Sequence, residues 1–142
     1  MCETLAVWET DATLANHSDL MADYASAWQA AGKVVYSSTL AAPCTANSRL
    51  ERHFDPSAVR DLKDAASSDP LVGGPNLAAE ALDARLVDEL VLFVWPVVLG
   101  GRTPALLTGT RLDLPIGRRV GLEHLDEHRF SSGVVHLRYR VP

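Results

Sequence analysis

Lysine is nearly absent from this 142-residue chain, with Lys33 and Lys63 the only two. The arginines are scattered and the formal net charge is −5. The sequence therefore lacks the basic stripe that a nucleic-acid surface needs. Arg118–Arg119 and Arg138/Arg140 are the only basic clusters, in a segment that also holds Glu123, Asp126 and Glu127. They read as charges on a solvated hairpin. Cysteine is equally scarce. Cys2 and Cys44 supply neither metal spacing nor a disulfide framework, which predicts a reduced, cytoplasmic protein. No run approaches the ~18 consecutive apolar residues of a membrane helix. No basic segment leads into an apolar run, so no signal peptide is visible, and no internal repeat or low-complexity tract occurs. An apolar fraction of 47% against 22% charged residues excludes a disordered tail. A single domain over residues 1–142, with a small-molecule partner, no nucleic acid and no membrane, is the expectation.

The positive features are periodic. Leu20, Tyr24, Trp28 and Ala31 share one face of a predicted helix over Asp19–Ala31, with Ser18 as N-cap and Gly32 just past the end. Lys33–Ser37 is a short β-rich run, and Ser48–Phe54 is a second strand with Leu50 facing the core. Asp55–Pro56 starts a helix whose buried face carries Val59, Leu62 and Ala66. Leu71–Val72 reads as a short strand ending in Gly73–Gly74, and a helix begins at Pro75–Asn76, with Leu77 and Ala81 inward and Leu86–Glu89 closing it. Leu90–Leu99, rich in valine, reads as a central buried strand that Pro96 interrupts by a bulge or at an exposed edge. Val135, Leu137, Tyr139 and Val141 alternate with His136, Arg138 and Arg140, the period of a half-buried strand. Its partner lies within Arg118–Phe130 across the Ser131–Ser132–Gly133 turn, with a phase change at Leu125 that predicts a β-bulge. Alternating helices and strands predict an α/β fold: a mostly parallel central sheet with flanking helices and a C-terminal antiparallel hairpin.

Two segments could carry chemistry. At Gly73–Gly74–Pro75–Asn76 a phosphate can approach a backbone without Cβ atoms, at a helix N-terminus with free N–H groups. The pattern is not the GxGxxG fingerprint, and from these residues alone a tight strand-to-helix turn is the favoured reading. Tyr36-Ser37-Ser38-Thr39-Leu40 follows a strand, where α/β sheets bind ligands. Its hydroxyls suit a ribose, a phosphate, or a plain polar turn. His17, His53, His124, His128 and His136 have no metal spacing on one helix, and His124 and His128 share a strand face unless the bulge intervenes. Asp88–Glu89 reads as a capping or surface pair. Trp8, Trp28 and Trp95 are assigned to the core. No nucleophilic or acid–base constellation, and no metal site, can be assembled.

Taken in order, Lys33-Val-Val-Tyr-Ser-Ser-Thr-Leu40, Val72-Gly-Gly-Pro-Asn-Leu-Ala78, Leu86-Val-Asp-Glu89, Pro96-Val-Val-Leu-Gly-Gly101 and Phe130-Ser-Ser-Gly-Val-Val-His-Leu-Arg-Tyr139 form a series. On these segments the chain resembles the dihydrofolate reductase-like family that includes the C-terminal reductase domain of the bacterial riboflavin-biosynthesis deaminase–reductase. The resemblance implies NADPH as cofactor and hydride transfer to a pterin-like or ribosylaminopyrimidine substrate. It implies that Gly73, Gly74, Pro75 and Asn76 hold the pyrophosphate. Ser37, Ser38 and Thr39 would lie near the adenosine ribose and its 2′-phosphate. It also suggests a homodimer.

Three departures follow from the same likeness. The family often has Arg where Ser38 stands, which predicts weaker 2′-phosphate recognition here. It commonly has Gly where Arg85 stands. Members usually open with a strand, an Asp-Gly loop, a helix and a Gly-Arg-Arg turn before a Met-Tyr-Glu-Thr helix, whereas this chain starts at Met1-Cys-Glu-Thr4, so an N-terminally truncated domain is the expectation. The alternative function is a catalytically inactive nucleotide-binding or interaction module left by that loss. No catalytic residue is assigned.

Overall fold

The computed structural model describes residues 6–98 and 120–142. Leu99, Gly100–Gly101, Arg118–Arg119 and the Met1-Cys-Glu-Thr4 segment of the sequence reading lie outside them. The chain divides into two compact units, Met1–Phe54 and Asp55–Pro142.

The first unit opens with two single-turn helices, α1 (Val7–Thr10) and α2 (Ala12–Ala15), followed by α3 (Asp19–Ala30). The Ser18 hydroxyl caps α3 by accepting from the Met21 N–H at 3.3 Å, as the sequence predicts. The buried face differs from the expected one. Ala25 is the buried residue of α3, while Leu20 is 79% exposed and Tyr24 stacks edge-on against Trp8 at 4.7 Å. Periodicity located the helix but not which part of its apolar stripe is covered, because that depends on what packs there.

Strands β1 (Lys33–Tyr36) and β2 (Ser48–Glu51) pair in parallel, Lys33 opposite Ser48 through Tyr36 opposite Glu51. Lys33 anchors the start of this pair. Its Nζ donates to the Ala31 and Ala46 carbonyls at 3.0 and 3.2 Å, lies 3.3 Å from Glu9 Oε1, and sits 5.2 Å above the Trp28 ring. Glu9 Oε2 in turn accepts from the Ala46 N–H at 2.8 Å. This cluster ties α1, α3 and the approach to β2 together through one cation.

In the second unit, Asp55 caps α4 (Pro56–Ala65), its Oδ1 accepting from the backbone and hydroxyl of Ser57. That hydrogen bonding holds the Asp55 carboxyl below its usual range. Leu71–Val72 forms no strand, and Leu71 is 97% exposed. Two apolar residues beside Pro70 and Gly73 offer too few ladder bonds to hold a strand. Helix α5 (Pro75–Asp83) follows and buries Ala79 and Ala81. It ends six residues before Glu89, not within Leu86–Glu89. Its termination is a Schellman motif: the Leu86 N–H donates to the Ala81 carbonyl and the Arg85 N–H to that of Leu82. Arg85 takes φ +55 to make this turn, the backbone that explains glycine in the family at that position. Lys63 on α4 donates to the Leu86 carbonyl at 2.7 Å and to Asp88 at 2.6 Å, fixing the segment between α5 and the sheet.

The sheet of this unit is antiparallel, in the order β3 (Glu89–Val94), β5 (Val135–Arg140), β4 (Glu123–Arg129). The strand therefore ends at Val94, short of Pro96, and among the described residues β3 lies at an edge of this sheet, with β5 in the centre. Val91, Phe93 and Val94 are 46–58% exposed and Trp95 is 64% exposed, so among the described residues neither the central buried strand nor a core role for Trp95 is found. Composition signalled β structure, but the central position went to β5, whose two neighbours flank it. The predicted bulge is present, between His124 and Asp126. It sets His124 opposite Tyr139 and His128 opposite His136, and partners three residues apart on β5 face opposite ways. The two histidines therefore lie on opposite faces. Gly133 closes the hairpin at φ +85, with Pro96 packed where a Cβ would sit. The fold is α/β with one parallel and one antiparallel sheet.

Candidate functional site

Each unit carries one of the two candidate segments. In the second unit, Gly74 is the N-cap of α5 at φ +93 and ψ 130, a backbone that side chains resist. Gly74 has no side chain to cap the helix, and Pro75 has no N–H to satisfy. The N–H groups of Asn76 and Leu77 open the helix with no acceptor among the described residues. Beside them, a Cβ built on Gly73 meets no described atom within 4 Å. Gly73 thus adds no crowding by described atoms beside the positive end of a nine-residue helix. Free backbone N–H groups at a helix N-terminus are donors of the kind that an oxyanion accepts.

In the first unit, Ser37 lies just past β1. Its N–H extends the ladder to the Glu51 carbonyl at 3.0 Å. Its hydroxyl accepts from the N–H groups of Thr39 and Leu40 at 3.4 and 3.1 Å. That hydroxyl shapes the turn, and Ser38 and Thr39 project from it, exposed. A residue absent from the sequence reading holds the loop from the other strand. Arg52, one position past β2, donates from Nη1 to the Ser37 carbonyl at 3.1 Å and to the Leu40 carbonyl at 2.6 Å. Parallel pairing of β1 with β2 puts both strand ends, and hence this arginine and these hydroxyls, at the same carboxyl edge. In the sequence Arg52 fell inside the predicted Ser48–Phe54 strand, and nothing there indicated which loop it would reach.

Three of the five histidines pack against neighbouring rings. His136 stacks on Phe93 at 5.1 Å, His124 on Tyr139 at 5.7 Å and His128 on Phe130 at 4.6 Å. Glu89 is gripped by Arg138 through Nε at 2.6 Å and Nη2 at 2.9 Å. The hydrogen bond from Arg138 holds the Glu89 carboxyl low, and the carboxylate raises the Arg138 guanidinium. Asp88 and Glu89 thus carry ion pairs. Among the described residues no group of three or more His, Cys, Asp or Glu could hold a metal ion, and no helix is long and apolar enough to cross a membrane.

A family model for the RibD C-terminal domain matches residues 6–135. The chain belongs to that family, a family of reductase domains. The sequence is 36% identical, over 69 residues, to the uncharacterized protein YyaP of Bacillus subtilis (strain 168), a stretch that covers 49% of this chain and 33% of YyaP. The chain thus spans about a third of the curated relative that it matches. The fold is similar to the crystal structure of a protein assigned to riboflavin biosynthesis from Shewanella sp. PV-4. That likeness has a TM-score of 0.55 at 15% identity and covers 77% of this chain and 59% of the other. A pyrimidine reductase-like protein from Corynebacterium diphtheriae is similar with a TM-score of 0.52 at 21% identity, over 67% of this chain and 38% of its own. These solved structures support the dihydrofolate reductase-like α/β fold read from the sequence.

Proposed function

We propose that this chain is an NADPH-dependent reductase domain, passing hydride to a ribosylaminopyrimidine or pterin-like substrate in the cytoplasm, as a homodimer. The observation that carries the cofactor reading is the Gly73–Gly74–Pro75 entry to α5: a positive-φ glycine cap, unpaired first-turn N–H groups, and open space where a Cβ at Gly73 would lie. Family membership supports the reaction class. NADPH, when bound, supplies the hydride, and the protein's part is to hold and orient it. Gly73, Gly74, Pro75 and Asn76 would receive the pyrophosphate on backbone N–H groups. Ser37, Ser38 and Thr39 would meet the ribose end.

Gly73→Ala tests this reading. The added methyl has room in the protein alone, so the melting temperature without ligand stays within about 1 °C, a surface-sized effect. The NADPH-induced rise in melting temperature, large for the parent chain, is lost. No rise for the parent chain at millimolar NADPH refutes the cofactor assignment. NADPH oxidation is then followed with aminopyrimidine and dihydropterin substrates. Stabilisation without turnover on any of them assigns the chain instead as an inactive nucleotide-binding module.

A further inference from the structure

We propose that the aromatic end of the antiparallel sheet, built around Phe93, Phe130, His128 and His136, is the surface on which a second copy of this chain docks. This rests on the homodimer in the reading above and deepens it by naming the contact face. The nucleotide assignment plays no part in it.

Strand register sorts the sheet into rows. Residues directly opposite one another in antiparallel strands share a face, and every second residue returns to it. One face therefore carries three rows, each running from β3 through β5 to β4: Phe93–His136–His128, Val91–Arg138–Asp126 and Glu89–Arg140–Glu123. The Phe130 ring joins the first row, edge-on to His128. The rows differ in chemistry. The last two hold five charged side chains, Arg138, Asp126, Glu89, Arg140 and Glu123. These are paired within the chain: Arg138 with Glu89 at 2.6 Å, Arg140 with Glu123 at 2.7 Å, and Asp126 Oδ2 lies 3.9 Å from His136 Nδ1. The first row holds rings only, without a lysine, an arginine or a carboxylate.

The ring end is also where apolar surface stays open among the described residues. Phe93 is 58% exposed and Phe130 42%. Trp95, 64% exposed, follows β3 at the same end of the sheet, since Pro96 packs against the Gly133 turn of the hairpin. With about 150–250 Å² for a whole aromatic side chain, these three expose roughly 250–400 Å². Patches of that size on a monomer are often functional. The patch is about a third to a half of the ~800 Å² that each partner buries in a standard interface. The dimer therefore has a small apolar core inside a polar rim, and it dissociates in the micromolar range.

Charge selects the partner. A two-fold dimer lays a patch on its own copy, so any formal charge there would face itself. The chain carries a net charge of −5 with its histidines neutral, so two copies repel over most approaches. The ring row is free of that penalty, and its edge-to-face contacts, such as His128 with Phe130, are of a kind that a second copy extends. The three carboxylates and two guanidiniums of the other rows, already paired within the chain, form the rim, where solvent reaches them.

The test is sedimentation equilibrium, across the micromolar range, of the parent chain, Phe93→Glu, Phe130→Glu and Leu20→Glu. Leu20, exposed on α3, controls for loss of apolar surface elsewhere. The parent and Leu20→Glu are expected to dimerise with the same dissociation constant. Glutamate at 93 or 130 weakens the dimer roughly thirtyfold or more, the scale of an anchor residue in an interface. Hydroxyl-radical footprinting of the unaltered chain gives a readout that no variant's folding can affect. Oxidation of Phe93, Trp95 and Phe130 falls as concentration rises through the dissociation constant, and that of Tyr24 stays level. A dimer unchanged by both glutamates, one weakened equally by Leu20→Glu, or one in which the three rings oxidise equally at every concentration overturns this proposal and leaves the homodimer standing. A parent chain that stays monomeric overturns both.

Discussion

Replacing Arg85 by glycine should stabilise the protein. Arg85 is the first residue beyond the α5 C-cap and sits at φ +55. Its N–H and that of Leu86 close the Schellman bonds to Leu82 and Ala81, so the backbone cannot relax without losing the helix end. Holding an L-residue in the left-handed region costs about 1–2 kcal/mol. Glycine removes that strain but adds unfolded-state freedom worth about 0.4–1 kcal/mol. The exposed Arg85 side chain makes no hydrogen bond or ion pair with other described residues, so little is lost with it. The net gain lies within roughly 0–1.6 kcal/mol, about 0.8 kcal/mol at the midpoints of these two ranges. For a chain of this length it raises the melting temperature by about 2–4 °C. Urea and thermal unfolding of the parent, Arg85→Gly and Arg85→Ala give the answer. Alanine keeps the strain and should show no gain. Equal gains for glycine and alanine would locate the effect in the arginine side chain, and a lower midpoint for glycine would refute the strain argument outright.

Gly74→Ala, at φ +93, should weaken NADPH binding as Gly73→Ala does but, unlike it, should also destabilise the unliganded protein by about 1–2 kcal/mol; equal unfolding midpoints for the two variants would count against the cap geometry. Lys33→Met leaves Glu9, 15% exposed, without its cation and should cost about 1–3 kcal/mol, checked by chemical denaturation against the Glu9→Gln/Lys33→Met double variant, which should recover part of the loss. The pH dependence has a definite sign. Asp55 and Glu89 are held below the ordinary carboxyl range when folded, so their stabilisation is complete above about pH 5 and is lost as pH falls through their lowered values. The stability difference between the parent and Glu89→Gln should therefore shrink between pH 6 and pH 3, and a constant difference would exclude a role for the Arg138 pair.

Local rules decided much of this molecule. Ser18 and Asp55 cap helices because a short side-chain oxygen meets free N–H groups within three residues. Pro75 starts α5, alternation marks β5, and the phase slip at Leu125 is the bulge. Each of these depends on neighbours a few positions away, and each was legible in sequence. Which apolar face is covered was legible only in part: Ala81 is buried as its spacing indicates, but Leu20 and Trp95 carry the right composition and are exposed, while Ala25 and Ala79 are buried. Burial is set by what packs alongside, and spacing alone does not contain that. The candidate site divides the same way. The glycines at 73 and 74 and the hydroxyls at 37–39 could be read as chemistry, because their residue types carry it. Arg52 could not, because only parallel pairing of β1 with β2 brings a side chain 15 positions away to the loop that it holds.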